Sequence, residues 1–310
     1  MSLRRPYLMF LGTAPDQLAA KTAQGIVHWR PDWCLGQLRL PGCKADLGLK
    51  DMTVADAAKA GVQTVIVGVA NRGGVLDESC IPVLAEAAKK HGRQLFDVRH
   101  PTRDFAVGTG KKRRGKRMLT VGTDCSIGKM YTALALEKEM RARGLKADFR
   151  ATGQTGIFIA GGGVSIDAVV SDFVSGAVEW ITPENDADHW DLVEGQGSLF
   201  HASYAGVTLG LIHGAQPDAL VMCHEPGRPH MRGLPHYKLP DLQTCIDANL
   251  AAARLTNSNV RCVAVSLNTS ALDSAAAERA LRDTEEKIGL PAVDPLRTGV
   301  GKIVDVLAKI

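Results

Sequence analysis

The sequence predicts an α/β protein in which an N-terminal Rossmann-like domain is followed by a larger, doubly wound domain of the P-loop NTPase type. Three observations carry that expectation. Short apolar runs alternate with stretches of helical spacing along the chain, the pattern of parallel strands joined by crossover helices. The apolar run Leu119-Thr120-Val121 enters a glycine-bounded loop, and a helical stretch follows, which is the context a phosphate-binding loop requires. The basic run Lys111-Lys112-Arg113-Arg114-Gly115-Lys116-Arg117 then separates two halves, placing the domains at residues 1–113 and 114–310.

In the first half, residues 7–11 read as a strand closed by Gly12, and residues 16–29 carry helical spacing with Leu18, Thr22, Ile26 and Trp29 facing inward. A second strand is expected over residues 35–40. A short helix over 53–60 is capped by Thr53 or Asp51. Residues 63–70 form the clearest strand of this half, residues 81–91 a helix and residues 95–98 a strand. In the second half, strands are expected at 147–152, 191–197, 219–223, 261–267 and 292–293. Helices are expected at 167–180, 203–213, 241–255, 275–288 and 300–310, and residues 153–156 read as a loop.

Apolar residues make up 45% of the 310 positions and charged residues 23%, an ordinary soluble balance with room for sizeable cores. No apolar run approaches the ~20 residues of a membrane span. Seven cysteines, with no Cys-x-x-Cys pair, fit reduced thiols in the cytoplasm. A net charge of +4 is too mild to specify a partner, and 5% aromatic content offers no stacking platform for nucleic acid. Basic runs such as 111–117 usually form solvated faces or linkers. This one also stands close enough to the loop to steer an anionic ligand.

The loop is Gly122-Thr123-Asp124-Cys125-Ser126-Ile127-Gly128-Lys129-Met130. Its glycines let backbone N–H groups turn inward, the following helix adds its positive end, and Lys129 supplies a point charge. These residues are the expected binding site for a polyphosphate. Five residues stand between the glycines where the common pattern has four, a variant associated with dethiobiotin synthetase and its relatives. Met130 stands where a P-loop NTPase places the Ser or Thr that holds Mg²⁺, and a thioether is too soft for that ion. Thr132 lies roughly 200° further around the helix. The loop therefore reads as a cradle for a pyrophosphate that is held and not hydrolysed, with no metal required.

Loops at the carboxyl ends of parallel strands converge on such a site. Glu194, at the end of one strand, is the candidate general base, and His201 the second candidate for proton transfer. Gln154 and Thr155 follow a neighbouring strand. Glu225, Arg228 and Arg232 lie in a proline-stiffened stretch whose arginines offer planar forks for substrate carboxylates. Asn71 and Arg72 end the clearest strand of the first half. Asn268-Thr269-Ser270 is a weaker candidate for contact with an adenine ring.

With these residues in view, the chain resembles the D-glutamate N-acetyltransferase family, long described as a domain of unknown function. The likeness covers nearly the whole chain. It is carried by residues 37–48, 68–74, 121–130 and 150–156, by Glu194-Gly195-Gln196-Gly197-Ser198-Leu199-Phe200-His201, and by His224-Glu225-Pro226-Gly227-Arg228. It implies an acyltransferase that moves acetyl from acetyl-CoA to the amine of D-glutamate, ahead of an N-acetyl-D-glutamate dehydrogenase in D-amino-acid catabolism. A small amino-acid substrate and a homo-oligomer are the implied partners. Members of the family carry a longer connection where this chain passes from Cys80 to Ile81. Two other readings stay open. An ATP-dependent ligase or kinase like dethiobiotin synthetase requires Mg²⁺ and ATP, and a non-catalytic nucleotide-binding regulatory module binds without turnover.

Overall fold

The computed structural model describes residues 3–69, 80–101 and 103–310. The chain falls into two compact units, Met1–Val98 with Ile157–Gly162, and Arg99–Gly156 with Gly163–Ile310.

In the smaller unit, strands β1 (Tyr7–Gly12), β2 (Cys34–Arg39) and β3 (Thr64–Val67) form a parallel sheet in the order β2-β1-β3. The central strand is buried on both faces, as parallel strands are, through Tyr7, Leu8, Met9 and Leu11. Helix α1 (Lys21–Trp29) buries Thr22, Ala23 and Ile26, whereas Leu18, expected to face inward, is exposed. Thr53 caps helix α2 (Val54–Lys59): its Oγ1 accepts from Asp56 N–H at 3.1 Å, and Asp56 answers by accepting from Thr53 N–H. Asp51, the other candidate cap, pairs with Arg39 instead. Helix α3 spans Cys80–Lys90. The strand expected at 95–98 does not form: Leu95 and Phe96 are exposed, and an extended segment with neither a ladder nor an apolar face to bury gains nothing from strand geometry.

The larger unit is a six-stranded parallel sheet in the order β11-β10-β7-β4-β6-β5. Its strands are β4 (Lys116–Gly122), β5 (Ala147–Arg150), β6 (Trp190–Val193), β7 (Ala219–His224), β10 (Arg261–Leu267) and β11 (Ala292–Val293). The helices between them are α4 (Lys129–Ala142), α5 (Gln154–Ala160), α6 (Val174–Ile181), α7 (Ala205–Ala215), α8 (Leu242–Arg254), α9 (Ser274–Ile288) and α10 (Gly301–Leu307). A core of Leu119, Val121, Val178, Val193, Ile212, Leu220, Met222 and Val265 joins sheet to helices. From β4 the chain runs outward to β5, returns to β6, then crosses to β7 and on to β11. The order therefore reverses at β4, the switch point where such sheets bind ligands.

Three local expectations need correcting. The helix expected at 167–180 begins only at Val174, after two short 3₁₀ turns, Ile166–Ala168 and Ser171–Phe173. The β-branched pair Val169-Val170 and the Ser165–Asp167 side-chain bond favour that irregular backbone. Residues 154–156, read as loop, open helix α5. A short antiparallel pair, β8 (His230–Met231) with β9 (Leu234–Lys238), was not foreseen.

The basic run is structural. Arg113 donates through Nε to Thr182 O at 2.7 Å, and through Nη2 to Gly214 O at 2.8 Å and Thr182 Oγ1 at 2.9 Å. Its guanidinium thus joins the carboxyl ends of α6 and α7, where orphan carbonyls and the negative helix pole favour a cation. Arg117, fully buried, donates to the carbonyls of Arg113, Arg114 and Gly115, and Lys112 pairs with Asp218 at 2.6 Å. Replacing Arg113 with Met strands those carbonyls and should cost about 2–4 kcal/mol in urea unfolding. A change within experimental error would refute the stapling role.

Candidate active site

The loop after β4 turns at Gly128, whose φ of 103° lies in the left-handed region that favours glycine. It is held from below by backbone and side-chain groups of the adjoining strand ends. Thr123 N–H donates to Cys223 O at 3.1 Å, Ser198 Oγ to Thr123 O at 3.1 Å, and Thr123 Oγ1 bonds His224 Nδ1 at 3.0 Å. Thr132, one turn into α4, is buried and bonded to Gly128 O, Ser266 Oγ and Cys223 Sγ. It faces the sheet and not the mouth of the loop. Lys129 is buried and folds back to donate from Nζ to Asp124 O at 2.7 Å. Burial lowers its pKa.

Asp124 is the hub of the loop. Its fully buried carboxylate accepts from Cys125 N–H at 2.7 Å through Oδ1, and through Oδ2 from Arg228 Nη1 at 2.6 Å and Arg232 N–H at 2.8 Å. Arg228 also donates to Cys125 O at 2.9 Å and Ser126 O at 3.3 Å, and pairs with Glu225. Arg228 and Glu225, expected to meet substrate, are thus engaged with the loop and with each other. Arg232 differs. Its backbone is pinned at both ends, because His201 Nε2 bonds Arg232 O at 3.0 Å, while its guanidinium makes no ion pair among the described residues.

His201 is buried, and its Nδ1 accepts from Ser203 N–H at 3.1 Å. Nδ1 therefore carries no proton, and Nε2–H is the group that donates to Arg232 O. Both ring nitrogens are committed, and the ring stacks on Tyr204 at 4.5 Å, so in this arrangement His201 positions Arg232 and has no free nitrogen for proton transfer. Asp124, Cys125 and His201 offer potential metal ligands within 4.8 Å of one another. The same contacts already occupy the carboxylate and the imidazole.

Glu194 follows β6 directly, on the strand beside the loop. Its Oε2 accepts from Thr152 N–H at 2.8 Å and Gly153 N–H at 3.1 Å, at the start of α5, and its own carbonyl accepts from Thr152 Oγ1 at 2.7 Å. That contact explains why residues 154–156 are helical: a carboxylate at the amino end satisfies donors that would otherwise be orphaned. Burial pushes the Glu194 carboxyl up to about 7, only partly opposed by these N–H donors, by the Lys129 charge and by Gln196. A Cβ on Gly156 would lie 2.4 Å from Oε2, so only glycine leaves room for the carboxylate there. Gln154 and Thr155 are half-buried in the first turn of α5. Met130 is half-buried at the start of α4, and Asn71 and Arg72 lie outside the described residues. Asn268 stands beside the loop, its Cβ 4.0 Å from where a Gly128 Cβ would be. Thr152 lies in a strand-end stretch expected to converge on the loop, but Ser198 was not singled out as a site residue, since a small hydroxyl residue after a strand carries no signal until the strands are ordered.

Together, fold and site define an α/β protein with a P-loop backed by a buried carboxylate. Residues 104–304 match the P-loop domain of DUF1611, a domain of unknown function, and residues 38–88 match the Rossmann-like domain of the same family. The chain belongs to that family, and the two-part α/β organisation expected from the sequence is borne out. A protein from Tritonibacter scottomollicae named D-glutamate N-acetyltransferase is 52% identical over 99% of this chain and 100% of its own length. A protein of the same name from a Pseudoalteromonas species is 47% identical over 98% of this chain and 99% of its own. A solved structure of a DUF1611 family protein from Anabaena variabilis, 28% identical, superposes with a TM-score of 0.86 over 99% of this chain and 100% of that one. The resemblance read from the motifs is confirmed.

The Glu194 carboxyl generates a stability prediction. Its folded pKa, about 7, exceeds an unfolded value near 4.5, so the native state takes up a proton more readily. Stability from this group is intact below the unfolded value and declines as pH rises toward 7. Glu194→Gln keeps an acceptor for the two N–H groups without the charge. It should match the wild type at pH 4 and exceed it by up to about 3 kcal/mol at pH 8 in urea unfolding. A variant destabilised at pH 8 would contradict the buried-charge assignment.

Proposed function

We propose that this protein is a D-glutamate N-acetyltransferase using acetyl-CoA as donor. The observation that carries the reading is one juxtaposition: an anion loop without a metal-holding hydroxyl lies beside a buried carboxyl that titrates near neutrality. Full-length relatives of that name, about half identical, support it.

In this reading the loop residues Gly122 to Lys129 hold the diphosphate of the donor, which needs no hydrolysis and hence no Mg²⁺. Acetyl transfer forms an amide bond and breaks the thioester, leaving CoA as its thiolate, a competent leaving group. The ammonium of D-glutamate must first lose a proton. Glu194 is the group to take it, since a base works best with a pKa near the working pH. Deprotonation is also eased by its desolvated setting. Arg232, with its backbone fixed by Asp124 and His201, is the planar fork offered to a substrate carboxylate. Gln154 and Thr155 complete the proposed substrate contacts; Arg228 and Glu225 serve by holding the loop.

Release of free thiol from acetyl-CoA should require D-glutamate and persist in EDTA. A reaction that instead needs Mg²⁺ and liberates phosphate from ATP would favour a ligase or kinase. Glu194→Gln should lower kcat by about 10²–10⁴, the usual reach of general-base catalysis, while acetyl-CoA affinity stays within about twofold. Arg232→Lys should raise KM for D-glutamate at least about tenfold and leave the KM for acetyl-CoA nearly unchanged. If the acetyl-CoA KM rises instead, the arginine faces the donor.

A further inference from the structure

We propose that the buried Asp124–Arg228 pair limits the net positive charge of the loop and so restricts it to a diphosphate, excluding a triphosphate. This deepens the anion-receiving reading above and rests on it.

A carboxylate inside an anion cradle is electrostatically unexpected. Asp124 is fully buried there, and it draws Arg228 Nη1 to 2.6 Å and the Cys125 N–H to 2.7 Å. Cys125 N–H is one of the donors a loop of this kind would otherwise turn toward a phosphate. Arg228 in turn grips the carbonyls of Cys125 and Ser126, so the pair sets the loop's shape as well as its charge. Lys129 Nζ rests on Asp124 O at 2.7 Å, which ties the loop's other cation to the same residue.

The charge inventory of the site follows. The cations Lys129, Arg228 and Arg232 and the carboxyls of Asp124, Glu225 and Glu194 are gathered about the loop, with Arg228 alone of the three cations in an ion pair among the described residues. Asp124 and Glu225 both pair with Arg228, which leaves little positive charge to spare. A diphosphate diester brings about two negative charges and a free triphosphate chain about four. In P-loop NTPases a metal ion offsets that excess. Here Met130 supplies no hydroxyl to hold one, and the buried Asp124 carboxylate adds a negative charge within the loop itself. One unit charge at close range in a partly desolvated site is worth about tenfold in affinity.

The test is calorimetric titration of the full chain in EDTA with ADP-ribose, a diphosphate diester, and with ATP, which shares its adenosine. The wild type should bind ADP-ribose about tenfold or more tighter than ATP. Asp124→Asn should narrow that ratio by about tenfold, and Arg228→Gln should widen it. Damage to loop shape weakens both ligands alike and leaves the ratio in place, so opposite movement of the two variants is the diagnostic result. Ratios that stay fixed, or move together, overturn the charge-pair inference alone. A wild-type chain that binds neither ligand overturns the anion reading and this inference with it, and acetyl transfer by the wild type without any such preference overturns only the latter.

Discussion

Strand β4 lies between β6 and β7, and the chemistry of the larger unit hangs from those three strand ends. Parallel pairing fixes the offset between them: Leu119 lies opposite Val193 on one side, and Gly122 opposite Cys223 on the other. That register carries Glu194 and His224 to flank the loop, each one step from the ladder. A slip of one residue in β6 would turn Glu194 to the opposite face of the sheet. The placement of the site is therefore a consequence of sheet packing, while the contacts of Asp124 and Arg228 shape the loop itself.

The electrostatics of the site share one feature, which is that charge is buried and answered locally. Asp124 is answered by Arg228 and two backbone N–H groups, Lys129 by a carbonyl, and Glu194 by the amino end of α5. Buried charges met in this way keep their ionised forms accessible without free solvent. Glu194 is the least well compensated, and its carboxyl is accordingly the one shifted toward neutrality.

Outside the site, the same logic governs the basic run. Arg113 and Arg117 end on backbone carbonyls, two of them at the carboxyl ends of α6 and α7. From the sequence such a run looks like a solvated linker, because charge density is visible and burial is not. The motif of residues 37–48 shows the converse. Gln37, fully buried, donates to Asp46 Oδ1 at 2.9 Å and accepts from Leu47 N–H at 2.8 Å, so part of that specific string serves to close its own loop.

Local chemistry was legible in the residues alone. The glycine-bounded loop, Lys129, the missing hydroxyl at Met130 and the alternation of strand and helix are matters of residue type and spacing, and these announced the α/β class, the P-loop and the family. Which carboxylate would be buried, which arginine left open and which histidine committed were decided only in three dimensions. Arg228 and Arg232 stand four positions apart in one stretch, yet one is tied to Asp124 through its guanidinium and the other only through its backbone N–H. His201 was indistinguishable from a proton-transfer residue until Ser203 N–H met its Nδ1. Desolvation and hydrogen-bond partnership belong to the packed arrangement of distant segments, and no pattern along the chain encodes them.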